Sequence, residues 1–205
     1  MNELERMFEA AQYTTDKGYC GTLGSHGKAP CCQRCIKGLG QGHHYLKFYG
    51  MIFEHMRNCG NVVEIGVQRG GSLLMWSNYF QIARVTGIDI HLTDRAKEIE
   101  QSHAHIVLIE GDATDPATKD MLPTNIDILI DDGSHKLAHQ MISMALLWPS
   151  IRRGGWYCIE DIEPRDKARL YDAMRALDPD ILLTSDTSTR GGLWNSFVFA
   201  AQKGE

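Results

Sequence analysis

The most restrictive feature of this 205-residue chain is a regular alternation of short apolar runs with helical stretches from residue 62 onward. Val62–Gly66, Ala83–Ile90, His105–Glu110, Ile126–Asp131 and Gly155–Glu160 read as strands. Helices are predicted over Ser72–Phe80, near Thr93–His103, over His135–Leu147 and over Asp166–Leu177. Ile126–Asp131 is nearly all apolar, as expected of a parallel strand buried on both faces. Strands alternating with helices predict an α/β fold, a doubly wound Rossmann-like sheet that is mostly parallel. The rhythm breaks at the end. Ile181–Thr184 and Ser196–Ala200 are strand-like, but the Ser-, Thr- and Gly-containing stretch Ser185–Asn195 between them is a poor helix. A parallel crossover needs about a dozen residues or more, usually with a helix, so these two strands are expected to pair antiparallel.

The region before the first strand is different. Leu4–Gln12 has Leu4, Met7, Phe8 and Ala11 at helical spacing, and His44–Asn58 repeats the pattern with Phe48, Ile52 and Met56. Between them, Thr14–Gly42 is rich in Gly, Cys and Ser and reads as an irregular loop. The expected organisation is one domain over 1–205, with an N-terminal helical and loop cap over about 1–58 and a Cys-rich insert over about 19–42. A net charge of −5 argues against a broad nucleic-acid footprint. No apolar run approaches the ~20 residues of a membrane span, and Met1–Arg6 lacks a signal-peptide pattern, so a cytoplasmic location is expected. Four of the six cysteines, Cys20, Cys31, Cys32 and Cys35, lie in the insert. In a reducing compartment such a cluster suggests a metal or free thiols before disulfides. Cys59 and Cys158 fall beside or within core elements and read as small buried side chains.

Glu64-Ile65-Gly66-Val67-Gln68-Arg69-Gly70-Gly71-Ser72 follows the first strand and opens a helix. Glycines at such a turn let the backbone approach a ligand, and the helix N-terminus offers unpaired N–H groups. The ligand belongs outside the carboxyl ends of the strands. A dinucleotide fingerprint requires a glycine where this chain has Gln68, so that pattern fails. Asp89, ending the second strand, is placed to bond ribose hydroxyls. The antiparallel ending also points away from a dehydrogenase domain.

Strand four ends in Asp131-Asp132-Gly133-Ser134-His135, and strand five in Glu160-Asp161. Both ends open on the edge that carries the glycine loop. Carboxylates converging there repel unless a cation lies between them, and oxygen ligands favour Mg²⁺, Mn²⁺ or Ca²⁺ over zinc. Capping of the following helix by Asp132 or Ser134 is the alternative, and it accounts for one carboxylate rather than four. His135, three residues past Asp132, has an unperturbed pKa of ~6.5 suited to a general base. His139 has the H-x-x-x-H spacing relative to His135 but lacks the glutamate of a metalloprotease helix, and reads as structural.

Thr15-Asp16-Lys17-Gly18, His43-His44-Tyr45, Glu64–Ser72, Gly87-Ile88-Asp89, Gly111-Asp112, Asp131–His135 and Gly154–Asp161 together give the chain a close resemblance to a known family. It resembles the class I S-adenosylmethionine-dependent, Mg²⁺-dependent methyltransferases that modify sugar hydroxyls of natural-product glycosides, the mycinamicin, macrocin and rhamnosyl type. The resemblance implies that Asp132, Glu160 and Asp161 hold Mg²⁺ and that His135 is the base. It implies that Glu64, Gly66, Ser72, Asp89, Asp112, Ala113 and Asp132 line the cofactor site, with Lys17 and Tyr45 closing over it. It also implies a small-molecule or glycan sugar acceptor and self-association as a homo-oligomer. A catechol or small-phenol acceptor, and a non-catalytic cofactor-binding protein, are the competing readings. The chain departs from the family between Gly18 and His43, where the cysteine cluster is inserted. Cys20, Cys31, Cys32 and Cys35, or three of them with His26, form a candidate structural Zn²⁺ set, set against free thiols; Cys32-x-x-Cys35 is a workable ligand pair.

Overall fold

In a computed structural model, residues 2–11, 45–178, 182–186 and 197–204 are described. Among them, β1 (Asn61–Ile65), β2 (Arg84–Asp89), β3 (Ile106–Glu110), β4 (Ile126–Asp131), β5 (Ile151–Ile162), β6 (Leu182–Asp186) and β7 (Phe197–Gln202) form one sheet. The strand order is β3-β2-β1-β4-β5-β7-β6. The first five strands are mutually parallel; β7 runs antiparallel to β5, and β6 antiparallel to β7. The terminal hairpin expected from the sequence is therefore present. The helices are α1 (Glu3–Ala11), α2 (Tyr45–Ile52), α3 (Gly71–Tyr79), α4 (Asp94–Ser102), α5 (Pro116–Lys119), α6 (Leu137–Leu147) and α7 (Lys167–Leu177). None is long and apolar enough to cross a membrane.

Strand alternation divides the core into two layers. Ile128, Ile130, Trp156, Cys158, Val198 and Ala200 face the layer holding α1, α2 and α3. Their neighbours Leu129, Tyr157, Ile159, Phe199 and Ala201 face α6 and α7. All six residues of β4 are buried, which explains why this strand lacks a polar face. The chain builds outward from β1 to β3 and then crosses back to place β4 beside β1. That reversal opens a crevice at the carboxyl ends of β1 and β4.

Apart from other shifts of one or two residues, three boundaries and one short helix differ from the sequence reading. The helix expected over His44–Asn58 ends at Ile52 and tightens into a 3₁₀ turn at Glu54–Met56, where Phe53 stacks on Tyr49 at 5.1 Å. β5 starts four residues early, and its pairing with β4 skips from Ile126↔Ile151 to Ile128↔Trp156. The helix expected from His135 begins at Leu137; its N-cap residue, Lys136, makes no side-chain capping bond, while Ser134 Oγ accepts from the Lys136 N–H at 3.5 Å. The short α5 was not anticipated, although Asp115 caps Ala117 N–H and Pro116 follows at the first helical position.

Candidate active site

The loop after β1 is pinned to β2 and to the loop after β4. Gly66 N–H donates to the Ile88 carbonyl at 2.8 Å, and Asp132 N–H donates to the Ile65 carbonyl at 2.9 Å. Gly66 has φ +91°, and a Cβ there would lie 2.1 Å from the Asp132 carbonyl oxygen. Only glycine lets these loops meet. Asp89 Oδ2 accepts from Val67 N–H at 2.8 Å and from Gln68 N–H at 3.0 Å. The Thr93 hydroxyl donates to the Gln68 carbonyl at 2.8 Å. Gln68 is thereby held at φ +46°, in the left-handed region where a dinucleotide fingerprint would place glycine. Beneath the loop, fully buried Glu64 accepts from Ser72 Oγ at 2.6 Å and Trp76 Nε1 at 3.2 Å, tying α3 to β1.

This loop forms one wall of a cavity of about 400 Å³. Of the residues expected to contact a cofactor, Gly66, Asp89, Asp112, Ala113 and Asp132 line it; Glu64, Ser72 and Tyr45 do not. Asp112 accepts from Thr114 N–H at 2.8 Å and Thr114 Oγ1 at 2.7 Å, which hold its carboxyl below the usual range. Ile90, next to Asp89, lines the cavity although it is 74% exposed. His139 is not a packed structural residue. It is exposed at the cavity wall, with Nδ1 3.0 Å from Ser134 Oγ. At the cavity floor, Asp131 is buried, and desolvation pushes its carboxyl up, opposed by hydrogen bonds from Ser143 Oγ at 2.7 Å and Tyr157 OH at 3.4 Å.

A second group adjoins the cavity. Asp132, His135 and Asp161 each offer a ligand atom within 4.8 Å of the other two. His135 Nε2 lies 3.7 Å from Asp161 Oδ2, while His135 Nδ1 is buried with no hydrogen-bond partner. Asp161 has φ +53°, and the pairing of β5 with β7 is irregular between Ile159 and Ile162. In a regular strand Glu160 and Asp161 would point to opposite faces. With the bulge, both carboxylates meet α2: Tyr45 OH donates to Asp161 Oδ1 and Tyr49 OH to Glu160 Oε1, each at 2.7 Å. Glu160 is buried and is not one of the three residues within 4.8 Å of one another. The Tyr45 phenol is raised by burial and by the charges of Asp161 and Glu160, so it stays a donor. Asp132 and Asp161, with Glu160 adjoining, supply the hard oxygen donors that suit a divalent cation.

Lys17, Cys20, His26, Cys31, Cys32 and Cys35 lie outside the described residues. Sequence reasoning missed Tyr49, whose only signal was its four-residue spacing from Tyr45. It also missed Ile90, which a sequence cannot distinguish from a core residue ending a strand.

Residues 63–162 match a family model described as a methyltransferase domain. The chain is 34% identical, over 171 residues, to 8-demethyl-8-alpha-L-rhamnosyl tetracenomycin-C 2'-O-methyltransferase of Streptomyces olivaceus, covering 78% of this chain and 42% of that protein. It is 37% identical, over 131 residues, to mycinamicin VI 2''-O-methyltransferase of Micromonospora griseorubida, covering 58% of this chain and 32% of that protein. The chain thus spans less than half the length of these curated relatives. Among solved structures it superposes on the MycE methyltransferase from the mycinamycin biosynthetic pathway, in complex with Mg and SAH. The TM-score is 0.69 at 26% identity, covering 99% of this chain and 55% of that one. The matched domain, the strand order and these likenesses together show that residues 63–162 form a methyltransferase domain and that the sheet has the class I methyltransferase fold.

Proposed function

We propose that this chain transfers a methyl group from S-adenosylmethionine to a sugar hydroxyl of a glycoside, with Mg²⁺ held at the ends of β4 and β5. The observation that carries the reading is the position of Asp132. It lines the cofactor-sized cavity and also belongs to the Asp132–His135–Asp161 group, so donor and acceptor sites share a wall. In this reading Gly66, Asp89, Asp112 and Ala113 hold the cofactor, and Ile90 packs against its base. Glu64 and Ser72 act beneath the loop by fixing α3 against β1. Lys17 is kept as a closing residue on the resemblance alone, and the insert cysteines as a candidate Zn²⁺ set on their spacing alone.

Asp132, Glu160 and Asp161 would hold the ion, whose chemistry is to make a coordinated hydroxyl more acidic. His135 accepts the acceptor's proton at Nε2, where the Asp161 carboxylate stabilises the resulting imidazolium. The acceptor oxygen forms its bond to the methyl carbon as the carbon–sulfur bond breaks, and that electron pair leaves on sulfur as a neutral thioether. The remaining contribution is alignment and exclusion of water. The acceptor is taken to be a small molecule or glycan met in the cytoplasm by a self-associated enzyme.

Calorimetry with S-adenosylmethionine, with and without Mg²⁺, tests the two sites. A metal-dependent assay on glycosides and catechols then tests the acceptor. Methylation of glycosides that is lost on chelation is the expected result. Cofactor binding without transfer to any glycoside, or transfer to catechols alone, overturns the assignment.

A further inference from the structure

Two tyrosines one helical turn apart reach two consecutive carboxylates. Tyr45 and Tyr49 share one face of α2, and their hydroxyls end on Asp161 Oδ1 and Glu160 Oε1. We infer that Tyr45 and Tyr49 are positioning residues for the ion site, fixing which oxygens of Asp161 and Glu160 are turned toward Asp132. The inference rests on the reading of Asp132, Glu160 and Asp161 as ion ligands.

Three features support it. The phenols select individual oxygens. With Oδ1 of Asp161 taken by Tyr45, Oδ2 is the atom directed at His135, 3.7 Å away. The Tyr45 bond therefore sets the plane of the carboxylate that faces the group. Next, the packing of Tyr49 does not depend on its hydroxyl. Its ring stacks on Phe53 at 5.1 Å and meets Trp76 edge-on at 5.6 Å, so the aromatic contacts are complete without the oxygen. The hydroxyl is the polar tip of an otherwise apolar side chain, and it is delivered to a carboxylate that is 1% exposed. Finally, the bulge at Asp161 is what turns both acids to the same helix, and a helix carrying one phenol would leave one of them without this partner. Ligating carboxylates are ordinarily oriented by such hydrogen bonds, and deleting one costs about 10–100-fold in metal affinity.

The test uses the full chain with Tyr45→Phe, Tyr49→Phe and the double variant, each keeping the ring and deleting the hydroxyl. Mn²⁺ is the probe, with free ion read by electron paramagnetic resonance. S-adenosylhomocysteine affinity is read by calorimetry, and the thermal midpoint alongside. Positioning predicts that the Mn²⁺ dissociation constant rises about tenfold or more in each single variant. S-adenosylhomocysteine affinity is expected to stay as in the unaltered chain. Unchanged Mn²⁺ affinity in both single variants overturns the inference while leaving the ion site standing. Mn²⁺ and S-adenosylhomocysteine affinities falling together overturns it too, since that is the mark of a merely structural role. Where one variant fails to fold, the other decides, because each addresses its own carboxylate. An unaltered chain that binds no Mn²⁺ overturns the site reading itself, and the inference with it.

Discussion

His135 and Asp161 face each other across the ends of β4 and β5, with Nε2 3.7 Å from Oδ2, and both sit in left-handed backbone at φ +56° and +53°. Such conformations cost about 1–3 kcal/mol each in a residue other than glycine and persist where the surroundings over-determine them. Here the strain aims two side chains at one point, one from the loop after β4 and one from the bulged end of β5. With Gln68 at φ +46°, all three non-glycine residues of positive φ among the described residues lie at or just past the carboxyl ends of strands. His135→Ala and Asp161→Ala keep the backbone requirement and remove the functional groups. His135→Ala is expected to lower kcat by about 10²–10⁴-fold, the range of a lost general base, and Asp161→Ala to lower it through the lost ion ligand and imidazolium partner, while S-adenosylhomocysteine still binds in both. Single-turnover assays on an accepted glycoside, with calorimetry on the same preparations, check this. Near-normal turnover in either variant would remove His135 or Asp161 from the reaction.

Asp89 bears on the cofactor through the backbone. Its Oδ2 takes both Val67 and Gln68 N–H, and Oδ1 takes His91 N–H at 3.2 Å. Asp89→Ala releases the loop as well as any contact to the ligand. Hydrogen bonds to a charged group are worth about 1.5–3 kcal/mol, so S-adenosylhomocysteine affinity is expected to fall about 10–100-fold. Gln68→Gly, which eases the left-handed position without touching Asp89, is expected to leave affinity near that of the unaltered chain. Calorimetry on the pair separates carboxylate from backbone.

What the sequence made legible follows from periodicity and residue type. β4 was bounded at both ends, because an unbroken apolar run beside a central strand has few alternatives. The acidic ends of β4 and β5 were visible because carboxylates are rare at buried strand ends. Their arrangement was not visible, because it depends on left-handed backbone at His135 and Asp161, and nothing in a histidine or an aspartate announces that. The same holds at Gln68, where Asp89 and Thr93 supply from a distance what glycine would have supplied locally. β5 extends four residues ahead of Gly155, the start expected from the sequence, because Gly154 N–H donates to the Lys203 carbonyl and Lys203 N–H to the Gly155 carbonyl, long-range bonds that keep the segment in the sheet.

Cys59 gives a prediction in pH. Burial pushes its thiol up to about 12, with the Asp127 charge adding to the effect. A group whose folded pKa exceeds its unfolded value adds stability that is complete below the unfolded pKa and is lost as pH rises through the folded one. For this thiol the loss runs from about pH 9, the unperturbed value, to about 12. Tyr45, Tyr49, Tyr79 and Tyr157 are raised too and contribute to the same alkaline decline. The difference between the unaltered chain and Cys59→Ala therefore isolates the thiol. The urea midpoint of Cys59→Ala is expected to fall less steeply over that window. Parallel curves would show that the thiol does not titrate differently on unfolding.

Asp127 lies at the opposite end of the sheet from the cavity and links the start of β1 to β5. Its Oδ2 accepts from Gly60 N–H at 2.9 Å and Asn61 N–H at 2.8 Å, and its Oδ1 accepts from Arg152 Nε. Asp127 is buried, whereas the Arg152 side chain is 43% exposed. The two partners are thus unequal. Removing the carboxylate strands two backbone donors, while removing the guanidinium leaves a carboxylate that still holds both. Asp127→Ala is expected to cost about 2–3 kcal/mol, the penalty for unsatisfied donors, and Arg152→Ala under about 1 kcal/mol, as for a half-exposed ion pair. Urea unfolding of both variants measures the order, and S-adenosylhomocysteine affinity is expected to stay unchanged in each because neither residue reaches the cavity. Equal costs would mean that the ion pair, rather than the two N–H bonds, anchors this edge.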